Sequence, residues 1–261
     1  MFKFGKNWLR FLDTKNQEQR LAIAVDSIKT FMGVENLNGK VFIDAGCGSG
    51  FFSLAAWKLG AEVISFDLDP ECVTCCEYYK KKYAFNPGNW TILKGSVLDR
   101  NFLATLPKGD VVYSYGVLHH TGNLKQAMEN VETLVKDRGY LYIAIYNKVY
   151  GRNGSKCWQK RKARYNRLPI FLQWLMVVKY LIRNGFIPEI LNGKNPLKEW
   201  QEYKVKRGES KWVDAIDWVG AYPYEFLRPD EVFNFYKKNY DLVNLLTKNT
   251  LALNVYLFKK K

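Results

Sequence analysis

Short apolar runs alternate along this chain with longer stretches whose apolar positions recur at helical spacing. Lys40-Val-Phe-Ile-Asp44, Glu62-Val-Ile-Ser-Phe-Asp67, Trp90-Thr-Ile-Leu-Lys94, Asp110-Val-Val-Tyr-Ser-Tyr-Gly116 and Tyr140-Leu-Tyr-Ile-Ala-Ile-Tyr146 read as five strands. Lys15 to Met32 is predicted helical, with Leu21, Val25, Ile28 and Phe31 on one face. Phe51 to Leu59 forms a second helix stopped by Gly60, and a third begins near Pro70, where a missing N–H costs no helical bond. The turn Asn86-Pro-Gly-Asn89 precedes the third strand, and Leu124 to Lys136 gives a further helix. Such alternation predicts an α/β fold with a mostly parallel sheet covered on both faces. Near the end, a helix from Pro229 to Asn239 leads into two strands, Asp241–Leu246 and Ala252–Phe258, close enough to pair antiparallel.

Between about Lys148 and Tyr224 this rhythm is lost. The longest apolar stretch, Leu168 to Ile182, lies there, interrupted by Gln173 and Lys179. It is shorter than the roughly 20 residues a bilayer-spanning helix needs, so it reads as a buried or interfacial helix rather than a span; packing under the cap is expected ahead of a membrane-surface role. Residues 1–147 and 225–261 are therefore read as one α/β domain, and 148–224 as an inserted cap.

Charge sharpens that division. The chain carries a net charge of +15 over 261 residues, and the stretch 148–212 alone has 16 Lys/Arg against 4 acids, a net of +12. That concentration predicts an anionic partner. Its densest part, Arg152, Lys156, Lys160, Arg161, Lys162, Arg164 and Arg167, is interleaved with Trp158 and Tyr165, offering forks for phosphate and flat faces for a base or sugar. A solvated helix face is the plainer alternative for the same run. Hydrophobic residues at 48% are ample for a core and exclude a disordered chain.

Five cysteines, Cys47, Cys72, Cys75, Cys76 and Cys157, show no disulfide framework, and Met1-Phe-Lys-Phe-Gly-Lys leads into no secretory apolar run. A reduced, cytoplasmic protein is expected. No metal site is expected either: Cys72-x-x-Cys75 lacks a second pair and a nearby histidine, and reads as the small inner face of a helix.

The turn after the first strand, Asp44-Ala-Gly-Cys-Gly-Ser-Gly50, opens a helix with glycines that let a ligand approach the backbone. Its spacing puts Phe51 where a dinucleotide fingerprint needs glycine, and no phosphate-loop lysine follows. Asp67 ends the second strand, about where an acid accepts hydrogen bonds from ribose. Asp69 suits a helix N-cap. Gly95-Ser-Val-Leu-Asp99 follows the third strand and offers Val97 and Leu98 to a flat base and Asp99 to an exocyclic amine.

Together, Asp44-x-Gly-x-Gly-x-Gly50, Phe66-Asp67, Gly95–Asp99, Asp110–His120 and Arg138-Gly-Tyr-Leu-Tyr-Ile-Ala144 resemble the successive motifs of class I S-adenosylmethionine-dependent methyltransferases. The resemblance spans residues 40–147, and the closing helix and two strands match the family's final hairpin. It implies a Rossmann-like seven-stranded sheet of order 3-2-1-4-5-7-6, with the cap inserted between strands 5 and 6, and S-adenosylmethionine as cofactor. It also implies site roles. Asp44, Gly46, Gly48 and Gly50 would lie beside the methionine moiety, Asp67 with Leu68 at the ribose, and Val97, Leu98 and Asp99 around adenine. Tyr115 and Gly116 would pass close to the methionine end.

Methyl transfer to a hydroxyl benefits from a base, and imidazole suits that task at neutral pH. The chain has two histidines, adjacent at the end of the fourth strand: His120 is the preferred base and His119 the alternative, with a structural role for either left open. Quinone-type O-methyltransferases carry acids in this stretch that can hold a metal; Gly116 and His119 stand here instead.

The cap residues Arg152, Lys156, Arg161, Arg164, Tyr165 and Tyr224 are the candidates for holding the acceptor. Gly116–Gly122, Ile143–Asn147 and Tyr222-Pro-Tyr-Glu-Phe226 resemble bacterial small-molecule methyltransferases that accompany surface-carbohydrate genes. A small phosphate-bearing acceptor follows: a nucleotide-linked sugar, a phosphoramidate or another precursor of capsule polysaccharide biosynthesis. Two other readings remain, an RNA or other nucleic-acid methyltransferase and a non-catalytic cofactor-binding scaffold. No amino-methylation Asn/Asp-Pro-Pro-Tyr/Phe motif and no appended RNA-binding module is found, so no stable nucleic-acid partner is expected; peripheral membrane contact is left open as the lesser alternative and is not expected.

Overall fold

In a computed structural model, which describes residues 5–9, 12, 17–84, 87–207 and 210–261, the central strands are buried on both faces and the edge strands are not. β1 (Val41–Ala45), β2 (Glu62–Asp67), β4 (Gly109–Tyr115) and β7 (Leu253–Lys260) have nearly unbroken buried runs, as expected of strands covered on both sides. β3 (Trp90–Lys94) and β6 (Tyr240–Leu246) lie at the edges and are largely open along their length. β5 (Val135–Tyr146) completes a seven-stranded sheet of order β3-β2-β1-β4-β5-β7-β6. The first five strands run parallel, and β7 pairs antiparallel with both β5 and β6. Of the expected features, Met1–Phe4, Lys15, Asn86 and Glu209 lie outside the described residues.

Helices α1 (Gly5–Leu9), α2 (Gln17–Met32), α3 (Phe51–Lys58) and α4 (Pro70–Tyr83) precede α5 (Arg100–Ala104) and α6 (Leu124–Thr133) along the chain. One core lies between the sheet and α2, α3 and α4, and includes Leu21, Ile28, Leu54, Phe42 and Trp90. The opposite core holds Ile43, Phe66, Leu103, Met128 and Val131 under α5 and α6, with Val232 and Tyr236 of the later helix α12 (Pro229–Tyr236). The cysteines Cys72, Cys75 and Cys76 are buried on the inner side of α4.

The helix expected to continue to Lys136 stops at Thr133, because Val135 already pairs with Gly109 on β4. The register then jumps to Val111 opposite Tyr140, and the bulging residues between are turned by Arg138, whose φ is 60°.

The chain leaves the sheet after Tyr146 and returns beside it, where Leu227 donates to the Tyr146 carbonyl at 3.1 Å. Between lie α7 (Ser155–Tyr165), α8 (Ile170–Leu181), a wide π turn (Ile182–Phe186), α9 (Ile187–Leu191), α10 (Pro196–Arg207) and α11 (Lys211–Gly220). Trp158, Tyr165, Val177, Leu181, Ala215, Val219 and Tyr224 form a core of their own. The expectation that the apolar stretch ending at Ile182 packs beneath this cap is corrected: within α8 only Val177 and Leu181 are buried, while Ile170 and Trp174 are 82% and 54% exposed.

Candidate active site

The glycine turn, the end of β2 and the end of β4 converge at the carboxyl edge of the sheet, where α/β folds bind ligands. Gly46 has φ 85°, and a side chain there would overlap the Val117 methyls. A Cβ on Gly50 would lie 2.7 Å from the backbone of Cys76. These two glycines therefore seat the turn against β4 and α4. Gly48 differs: nothing closer than the Trp8 indole nitrogen, at 3.7 Å, faces a side chain placed there. Of the three expected cofactor glycines, this is the one where a side chain would meet no more than ordinary van der Waals contact.

The amide of Gly48 donates to Asp67 Oδ2 at 2.9 Å, and the amide of Asp69 donates to Oδ1 at the same distance. Two backbone donors hold this carboxylate at the end of β2, while burial raises its pKa. Leu68 beside it is 47% exposed, an apolar face at the rim.

Asp44 is almost fully buried and closes a relay: Trp90 Nε1 donates to Ser65 Oγ (2.8 Å), Ser65 to Ser53 Oγ (2.7 Å), and Ser53 to Asp44 Oδ2 (2.6 Å). Burial pushes the Asp44 pKa up to about 7, the Ser53 bond opposes this, and the Asp67 charge adds to it. Two carboxylates at neighbouring strand ends, one of them raising the other's proton affinity, suit a cationic, hydroxyl-bearing ligand.

The adenine-side residues divide. Val97 is 5% exposed and belongs to the core beneath the sheet, so its side chain is not available to a base; its carbonyl accepts from Asn130 Nδ2 at 2.8 Å. Leu98 is half-buried. Asp99 caps α5 through Oδ1, accepting from Asn101 and Phe102. Tyr115 is 38% exposed and stacks on Phe52, with ring centroids 5.9 Å apart. Gly116 follows with φ 79° and nothing within 4 Å of an added side chain.

One residue further, the chain makes a short 3-10 turn, Leu118–His120. His119 is fully buried, its ring 4.2 Å from that of Tyr146 and 4.5 Å from that of His120; among the described residues neither of its ring nitrogens has a hydrogen-bond partner. Burial, with help from the His120 charge, holds its pKa well below the usual imidazole range. Burial likewise lowers His120 to about 4, opposed by its contact with the Pro223 carbonyl. Both rings are neutral at pH 7.

The cap is fastened to this turn. Glu225 donates its amide to the His119 carbonyl at 2.9 Å, and Gln159 Nε2 of α7 donates to the Tyr224 carbonyl at 2.8 Å. Of the expected acceptor-binding residues, Tyr165 and Tyr224 are buried in the cap core and are not on its surface. Arg152, Lys156 and Arg164 are exposed, and Arg161 lies over the Trp158 ring at 5.2 Å.

One cation of that basic run was not anticipated. Lys162 is fully buried, with Nζ 4.3 Å from the Trp218 ring centre and 4.8 Å from that of Tyr224, and donates to the Trp218 carbonyl. Burial lowers its pKa to about 7, with Asp217 opposing. The signal was present: Trp158, Lys162 and Tyr165 are spaced i, i+4, i+7 and share the inner face of α7.

Comparisons with known proteins agree with this geometry. The chain is 37% identical over 113 residues to the ribosomal protein L11 methyltransferase of Haemophilus ducreyi, covering 41% of this chain and 33% of that protein. It is 26% identical over 113 residues to the ubiquinone biosynthesis O-methyltransferase of Glaesserella parasuis, covering 43% and 48%. The matches therefore span a third to a half of the length of these curated relatives. Among solved structures, magnesium protoporphyrin IX methyltransferase from Synechocystis with bound SAH shares the fold at TM-score 0.56 and 12% identity, over 98% of this chain and 94% of that one. TehB from Haemophilus influenzae does so at 0.51 and 13%, over 90% and 62%. The family described as a methyltransferase domain matches residues 36–204, well over half the chain. With the sheet order and the strand-end site already in place, this chain belongs to the methyltransferase domain family and is a class I S-adenosylmethionine-dependent member of it.

Proposed function

We propose that this chain O-methylates a small phosphate-bearing acceptor, such as a nucleotide-linked sugar, a phosphoramidate or another capsule or surface-glycan precursor. The observation that supports this reading is the attachment of the basic helix α7 to the histidine turn: Gln159 donates to the Tyr224 carbonyl, and the next residue, Glu225, donates to the His119 carbonyl. S-adenosylmethionine, when bound, supplies a methyl group on a sulfonium, so the chain itself has to position and deprotonate.

Gly48 and Asp67 would hold the cofactor's ribose side, Leu68 and Leu98 would flank its base, and Asp44 would balance its positive charge. The Asp99 carboxylate would serve the exocyclic amine through the oxygen that does not cap α5. The fit rests on the open space beside Gly116, on the uncrowded approach to Gly48 and on the two carboxylates held at the ends of β1 and β2.

His120 is the base in this reading. Its Nδ1 faces a carbonyl and so carries the proton, which leaves Nε2 as the proton-accepting nitrogen of the neutral ring. Arg152, Lys156 and Arg164 would meet the acceptor's phosphate at the cap surface, where guanidinium forks bind bidentately.

The test is transfer of labelled methyl from S-adenosylmethionine to a panel of nucleotide-linked sugars, matched phosphate-free sugars, bulk RNA and ribosomal protein. Label on the phosphate-bearing members alone supports the reading. Label on RNA or protein instead, or on the phosphate-free sugars equally, overturns it.

A further inference from the structure

The apolar surface of the cap has not been explained by the site. α8, the π turn and α9 form one continuous helix of 22 residues, Ile170–Leu191, of which little is buried. Its inner positions Val177 and Leu181 pack in the cap core, and Trp158 meets Tyr180 with ring centroids 5.7 Å apart, so the helix is held to the protein along one side. The outer side is apolar. Phe171, Leu175 and Ile182 are exposed there at positions i, i+4 and i+11, while Trp174 lies toward the cap with its ring 6.3 Å from that of Trp212 on α11. These positions follow helical spacing, and the π turn then takes up one extra residue, so that Ile187, Ile190 and Leu191 continue the exposed run instead of rotating away from it.

Cations border this stripe. Lys179 and Arg183 project from the helix itself and are exposed, as are Arg167 just before it and Lys194 and Lys198 just after it. The cap segment 148–212 has a net charge of +12. A wide apolar stripe bordered by Lys and Arg, on a helix whose other face is bound to a folded domain, matches an in-plane interfacial helix. It does not match a spanning one, since Val177 and Leu181 would have to leave their core. A second copy of the chain would bring like charge against like charge, whereas an anionic lipid surface complements it.

We propose that Ile170–Leu191 docks the protein on an anionic bilayer, with Phe171, Leu175 and Ile190 entering the headgroup boundary and Lys179 and Arg183 meeting lipid phosphates. The surface is distinct from the strand-end site, so the inference stands or falls apart from the identity of the acceptor.

The test uses the full chain with sedimented vesicles of phosphatidylcholine, with and without phosphatidylglycerol. Binding is expected to be at least about tenfold stronger on the anionic vesicles and to weaken with salt. The triple variant Phe171→Ser, Leu175→Ser, Ile190→Ser is expected to lose that binding while keeping its affinity for S-adenosylhomocysteine, which reports an intact fold. Equal partition of parent and triple variant, or no partition of the parent on either vesicle, overturns the proposal. So does a dimer in sedimentation equilibrium that the triple variant dissociates while the parent ignores vesicles, because the stripe would then be covered by a second copy.

Discussion

The Nδ1 of His120 lies 2.5 Å from the carbonyl oxygen of Pro223, a contact between the end of β4 and the strand of chain returning from the cap 103 residues later. It fixes the ring's tautomer and orientation as well as tying cap to sheet. Replacing His120 with Ala therefore removes both the proton acceptor and the tie, whereas His120→Asn can retain a donor toward Pro223. Both variants are expected to lose about 10²–10⁴-fold in kcat while binding S-adenosylhomocysteine like the parent. Single-turnover rates beside calorimetric titration check this; full turnover in His120→Asn would remove His120 from the chemistry.

Asp67 accepts from the backbone on both sides, Gly48 at one oxygen and Asp69 at the other. An Asp67→Asn side chain keeps the shape but turns one acceptor into a donor facing an N–H. Loss of a hydrogen bond to a charged group costs about 1.5–3 kcal/mol, so affinity for S-adenosylhomocysteine is expected to fall by about tenfold to 150-fold. Calorimetry on the folded variant measures this directly, and an unchanged affinity would take the ribose role away from Asp67.

Gly46 and Gly116 make a contrasting pair, since both have positive φ but only one has neighbours. Gly116→Ala is expected to cost stability by only about 1–2 kcal/mol, the left-handed strain, while its methyl enters the open space of the site and blocks ligand. Gly46→Ala carries the same strain plus overlap with Val117, a further 1–3 kcal/mol or so of overpacking. Urea denaturation separates the two, and Val117→Ala should recover part of the Gly46→Ala loss but none of the Gly116→Ala binding defect.

The same residues indicate how much could be read without coordinates. β1, β2 and β4 were legible because strands buried on both faces are written as unbroken apolar runs, and the closing hairpin because its two runs sit close together. The site's acids were legible by position, yet their hydrogen bonds were not. Asp99 precedes Arg100-Asn-Phe and caps the short helix there, a pairing visible only once that helix is known to exist. Val97 lies beyond the end of β3, where strand alternation no longer says which way a side chain turns, and it faces the core. Lys162 sits among six other cations of one run, and only its helical spacing from Trp158 and Tyr165 marks it as inward-facing. The rings of Trp218 and Tyr224, from the far end of the cap, join Trp158 in enclosing it.

Lys162 gives the last prediction, a dependence of stability on pH. Burial lowers its folded-state pKa from 10.5 to about 7, so between those values the unfolded chain binds a proton that the folded chain has released. The contribution of this amine to stability then rises with pH across the window, by at most about 1.4 kcal/mol per pH unit for one proton, and levels off above the unfolded value; the buried thiols of Cys47 and Cys72, raised by their surroundings, pull the other way at its alkaline end in parent and variant alike. Lys162→Met keeps the length and apolar stem without the titrating amine, so its stability curve should lack that rise. The histidines do not confuse the assignment. Their folded values also lie below the unfolded one, but the window they open, from the unfolded imidazole value near 6.5 down to about 4 for His120, is on the acid side. Asp44, raised from 3.8 to about 7, opposes them there, since its folded form holds the extra proton. Urea midpoints of parent and Lys162→Met, taken from pH 7 to pH 10, isolate the lysine. Parallel curves would mean that the amine stays charged inside its ring cage, held by cation–π attraction strongly enough to offset its burial.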